Sequence, residues 1–101
     1  MGPGCYVSAT AALQGVIRTD FGSEADHALQ IADRESGCNP TADNAISTAS
    51  GPFQIVAGTW SYWAARCGHA GASVWDTVVH VAVAACMVAD GGWGPWSPLP
   101  W

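Results

Sequence analysis

The stretch Ala25-Asp26-His27-Ala28-Leu29-Gln30-Ile31-Ala32-Asp33-Arg34-Glu35 sets Ala25, Ala28, Leu29, Ile31 and Ala32 on one helical face and then meets Gly37 and Asn39-Pro40. A glycine there ends the helix in a left-handed conformation, and the proline bars its resumption. Ser23 is expected to cap this helix, with Asp26 three positions on as a partial capping box. Residues 41–50 read as a polar loop or a short, irregular hairpin, and Ser50-Gly51-Pro52 turns the chain into Phe53-Gln54-Ile55-Val56, the one segment with strand character. Glu35 therefore falls on the last turn of a helix, beside a loop and a tight turn. The C-terminal end of a helix carries partial negative charge and disfavours a further anion. That setting suits a group that must hold and deliver a proton.

The remaining segments read as further helices. Residues 8–18 place Ala12, Leu13, Val16 and Ile17 on one face, with Ser8 or Thr10 as cap and Gly22 closing the link that follows. Residues 59–66 make a third helix capped by Thr59, with Trp60 and Trp63 or Ala64 on its face. Ser73 is expected to cap a longer helix reaching about residue 89, with Asp76 in its first turn, where the dipole favours an acid. Gly91-Gly92 ends it. The tail Trp93-Gly94-Pro95-Trp96-Ser97-Pro98 is too rich in Gly and Pro to be regular, and is expected to lie back across the body. The fold class is mainly α: a helical domain with a small β-hairpin or loop element beside a cleft.

A chain of 101 residues is read as a single domain, 1–101, able to withdraw roughly 65% of its unfolded surface from water. Half of its residues are hydrophobic, yet no apolar run reaches the ~20 residues of a membrane span. The longest, residues 78–89, is interrupted by His80 and reads as a buried helix. Lysine is absent, and Arg18, Arg34 and Arg66 face eight carboxylates. The resulting charge of −5 argues against a nucleic-acid partner.

Met1-Gly2-Pro3-Gly4-Cys5 lacks the basic start and apolar run of a secretory signal, so a mature or excised domain, or a protein exported by another route, is expected. Cys5, Cys38, Cys67 and Cys86 form an even set that permits two disulfides in three connectivities. Their wide spacing, without neighbouring histidines, disfavours zinc, and an oxidising compartment would make bridges. The expected pairs are Cys38 with Cys67 and Cys5 with Cys86. No metal and no cofactor is called for.

Glu35-Ser36-Gly37-x-Asn39-Pro40, then Ser50-Gly51-x-x-Gln54-Ile55 and Thr59-Trp60, resemble the catalytic region of the lysozyme-like superfamily. The likeness is to soluble lytic transglycosylases and the related phage and actinobacterial muralytic domains. It is strongest over residues 28–60 and weaker over 84–98. The resemblance implies an α+β lysozyme-like fold, Glu35 as the catalytic acid, and Gln54 lining the cleft against the sugar or its acetamido group. Asn44 lies near the place where the family often carries a Ser or Asn in the site. Where the family often has Ala-Tyr-Asn-x-Gly, this chain has Ala89-Asp90-Gly91-Gly92, without the tyrosine. That departure moves it toward the phage and actinobacterial relatives, whose ends often read Gly-Gly-x-x-Pro-Trp.

The activity so implied is cleavage of the β-1,4 bond between N-acetylmuramic acid and N-acetylglucosamine in peptidoglycan. Glu35 would protonate the leaving oxygen while positive charge builds at the anomeric carbon. Among Asp33, Asp43 and Asp90 as a second carboxylate, Asp43 is best placed, on the loop. A hydrolase needs an ordered water, held by Asp43, Asn44 or Ser50. A lytic transglycosylase needs none, because the substrate's N-acetyl group assists and its 6-hydroxyl closes a 1,6-anhydro ring. A third reading is a catalytically silent wall-binding or virion structural domain on the same scaffold.

Ser36 is expected to support Glu35 by local hydrogen bonding, Phe53 to serve as core or cleft wall, and Trp60 to belong to the core. Trp93 and Trp96 offer flat aromatic faces to the substrate groove. His27, His69 and His80 are read as structural. The partner that the resemblance implies is a peptidoglycan glycan strand met by a monomer, in an extracellular, wall-facing or phage-associated setting. The acidic charge would repel anionic envelope polymers at long range, an effect that salt screens over about 8 Å.

Overall fold

A computed structural model describes residues 2–101 of the chain. Four helices make up most of it: α1 (Ala11–Phe21), α2 (Ala25–Ser36), α3 (Ala57–Arg66) and α4 (Thr77–Gly91). Single 3-10 turns lie at Ser8–Thr10, Gly22–Glu24 and Gly94–Trp96. The mainly helical class follows from the apolar spacing. Among the described residues, extended chain pairs only as isolated bridges, Asp43 with Ser50 and Ser50 with Ile55. The element beside the helices is therefore a loop rather than a hairpin.

α4 is apolar on every side and forms the centre, burying His80, Val81, Val83, Ala84 and Met87. α1 packs against α2 and α4, and α3 against α4. α2 buries the expected stripe, Ala25, Ala28, Leu29, Ile31 and Ala32. Complete burial of a side chain such as Leu29 or Ile31 stabilises by about 2 kcal/mol. On α1 the buried ridge is Leu13, Ile17 and Phe21, a four-residue spacing, so Ala12 is left exposed and Val16 half-buried.

Several boundaries move for reasons that lie outside the segment concerned. α1 starts at Ala11 because residues 8–10 tighten into a 3-10 turn, where Thr10 Oγ1 donates to the Gly4 carbonyl at 2.6 Å. Ser23 sits inside a second such turn and caps nothing. α3 starts at Ala57, two residues before Thr59, because the Ala57 N–H is accepted by Thr48 Oγ1 from the preceding loop at 2.8 Å. α4 starts at Thr77: Asp76 is its cap, accepting from the Val79 N–H at 3.2 Å, while Ser73 closes a separate turn on the Trp75 N–H.

The expected strand at residues 53–56 does not form: Phe53 and Gln54 lie in a turn, and Ile55 makes only the isolated bridge to Ser50. Gln54 has a φ of 51°, and the Phe53 N–H is taken by His80 Nε2 at 3.0 Å, so neither residue offers an extended ladder.

The disulfides join Cys5 to Cys38 and Cys67 to Cys86, which corrects both expected pairs. The N-terminal segment lies along the end of α2, with Gly2 N–H donating to Ser36 O and Gly4 N–H to Gly37 O, and this brings Cys5 to Cys38. Cys67 ends α3, and the packing of α3 on α4 sets it against Cys86. No helix among the described residues is long and apolar enough to cross a membrane.

Candidate active site

α2 ends as its sequence dictates. Gly37 is left-handed at φ 63°, and its N–H returns to Asp33 O at 2.9 Å. A Cβ there would stand 2.5 Å from the Gly2 carbonyl oxygen, so the N-terminal segment can lie this close only against glycine. Ser36 is buried; its hydroxyl donates to Pro52 O at 2.7 Å and accepts from the Asn39 N–H at 3.2 Å. Glu35 precedes it on the rim, with its side chain 27% exposed.

The second run is shaped by a buried histidine. His80 Nδ1 donates to Val74 O at 3.0 Å, and Nε2, the acceptor, takes the Phe53 N–H. This fixes a neutral tautomer. Burial pushes the imidazole down to about 4, against the opposing effect of the Val74 hydrogen bond. The ring stacks between Phe53 at 6.0 Å and Trp60 at 5.6 Å. A Cβ on Gly51 would lie 2.6 Å from His80 Cε1, and Gly51 has φ +77°, so both space and backbone demand glycine there. The Gln54 amide then donates to Ala42 O at 3.0 Å and Gly51 O at 2.9 Å, tying the polar loop to the turn.

Between these pieces lies a cleft of about 330 Å³ lined by Glu35, Ser36, Asn39, Thr41, Ala42, Asp43, Asn44, Ala45 and Gln54. It unites four of the expected site residues: Glu35, Asp43, Asn44 and Gln54. Of the three aspartates considered as a second carboxylate, Asp43 is the one on this cleft. Asp33 Oδ1 accepts from the Cys5 N–H at 3.0 Å, and Asp90 pairs with Arg66 at 2.6 Å. Asn44 has a structural task as well, its Oδ1 accepting from the Ile46 N–H at 2.9 Å.

Four expected substrate-binding residues lie elsewhere. Ser50 is buried and its hydroxyl donates to Thr48 O at 2.8 Å. Phe53 is wholly buried among Phe21, His80 and Trp96. Trp96 is buried, its Nε1 donating to Phe53 O at 2.9 Å. It helps to wall a separate apolar hollow of about 110 Å³, with Ile55, Thr59 and Met87, on which Gln54 also borders. Trp93 stacks on Phe21 at 5.8 Å and meets Trp101 edge-on at 5.2 Å. The tail does lie back across the body, but it spends its indoles on packing. Trp60 is buried as expected, its Nε1 donating to Ala72 O.

Sequence reasoning passed over Arg34. Its Nε and Nη2 each lie 2.9 Å from Glu35 Oε2, and the same guanidinium donates to the carbonyls of Pro98 and, at 2.6 Å, Trp96. The cation offsets the negative end of α2 that the helix position alone suggests. Asn39 and Thr41 are also on the cleft, and Asn39 was legible within the first motif. Among the described residues no cluster of His, Cys, Asp or Glu side chains is arranged to hold a metal ion.

Comparison with known proteins finds no matching family model, curated protein or solved structure.

Proposed function

We propose that the cleft cleaves the β-1,4 glycosidic bond between N-acetylmuramic acid and N-acetylglucosamine in peptidoglycan, on a lysozyme-like helical scaffold. The observation that carries this reading is the convergence of Glu35, Asp43, Asn44 and Gln54 on one polar cleft, although the chain separates the first and last by a loop and a turn.

In this reading Glu35 protonates the glycosidic oxygen as the bond to the anomeric carbon breaks. Asp43, exposed across the loop, takes the proton of an attacking water. The Gln54 Nε2 hydrogens are committed to two main-chain carbonyls, which leaves its Oε1 to accept from the N–H of an acetamido group. The adjoining hollow of about 110 Å³ has room for the acetyl methyl. The two disulfides fit an oxidising setting such as the outside of a cell, where the substrate lies.

The test is turbidity loss of purified wall suspensions with wild type and Glu35→Gln, followed by mass spectrometry of the product ends. Loss with wild type alone supports the reading, and equal behaviour of the two sinks it. Reducing ends identify hydrolysis; 1,6-anhydro ends identify a transglycosylase using the same acid.

A further inference from the structure

Neighbouring residues on a helix do not face each other, yet Arg34 folds back on Glu35. What keeps it there is the C-terminal tail. Three sets of guanidinium donors are engaged at once: Nη1 with Pro98 O, Nη2 with Trp96 O at 2.6 Å, and Nε, with Nη2, on Glu35 Oε2 at 2.9 Å. The tail in turn is fixed by the Trp96 indole on Phe53 O. Among the described residues no hydrogen bond engages Glu35 Oε1.

We infer that Arg34 is a positioning residue that pins one carboxyl oxygen of Glu35 through the tail, leaving Oε1 as the atom presented to the substrate. The inference rests on the glycosidase reading of the cleft. An exposed ion pair contributes little to stability. A planar fork that meets three acceptors fixes a direction, which an ammonium on a flexible stem does not.

The experiment is steady-state hydrolysis of soluble peptidoglycan oligomers by wild type, Arg34→Gln, Arg34→Lys and Glu35→Gln, with melting curves for each. Arg34→Gln is expected to lower kcat about tenfold or more while KM stays within about twofold, because misplacing a reacting group slows the chemical step more than binding. Arg34→Lys keeps the charge and most of the stem, and serves if the glutamine variant does not fold; its kcat is expected to fall equally. Wild-type kcat in either folded variant overturns the positioning role while leaving the glycosidase reading intact. A wild type that releases no fragments overturns the glycosidase reading and this role with it.

Discussion

The hydroxyl of Ser36 stands 2.7 Å from the carbonyl oxygen of Pro52, so a single buried hydrogen bond joins the helix that bears Glu35 to the turn that bears Gln54. Removing it leaves the Pro52 oxygen buried without that donor, at a cost of about 1–3 kcal/mol. Ser36→Ala is therefore expected to lower the urea midpoint by that equivalent with an unchanged denaturant slope.

Gly51 faces the His80 ring with no room for a side chain. Gly51→Ala combines a left-handed backbone penalty with displacement of a packed imidazole, and is expected to destabilise by about 3 kcal/mol. Thermal unfolding measures this. A change of only about 1–2 kcal/mol, the backbone penalty alone, would mean that the ring yields freely.

His80 makes stability sensitive to acid in a defined direction. The folded imidazole stays neutral down to about pH 4, whereas in the unfolded chain it binds a proton near 6.5. Between those values the unfolded state holds more protons, so stability is complete above 6.5 and is lost as pH falls toward 4. The full loss is about 3 kcal/mol, with about 1 kcal/mol gone by pH 5.5. Urea titrations at several pH values measure the loss, and the Cε1 resonance of His80 identifies the group.

The two bridges are expected to separate in their effects. Cys67→Ser with Cys86→Ser costs about 3 kcal/mol and leaves activity near wild type well below the melting temperature, because it joins α3 to α4 away from Glu35. Cys5→Ser with Cys38→Ser has a similar cost and also lowers activity, since it frees the segment that packs on Gly37. Peptide mapping under non-reducing conditions checks the connectivity itself.

Glu35→Gln is expected to reduce wall cleavage by about 10²–10⁴-fold, the range for loss of a general acid. Asp43→Asn is expected to lower kcat for hydrolysis about tenfold or more with little change in KM, since it acts on water rather than on sugar. Initial rates on soluble oligomers give both values.

Much of the helical plan was legible because it is local: the stripe on α2, its stop at Gly37, and the Gly/Pro tail returning to the body. The rest depends on distant partners. The first turn of α3 takes its cap from Thr48, nine residues upstream of Ala57, and Phe53 loses its strand character to His80, 27 residues away. Cysteine pairing follows from how α3 packs on α4 and how the N-terminal segment lies on the end of α2, which periodicity does not encode. Glu35, Asp43, Asn44 and Gln54 line one cleft. Trp93 and Trp96 do not, because an indole on a flexible-looking tail gives no sign of the core that will take it. Arg34 stayed hidden because adjacent helical residues ordinarily diverge.

The Thr48 hydroxyl on the Ala57 N–H sets a rule for anyone grafting new recognition sequences beside the cleft. The exposed side chains of Ala45 and Ile46 are open to exchange, whereas position 48 must keep a short side-chain acceptor. Without one, the exchange unwinds the start of a helix while appearing only to edit a surface.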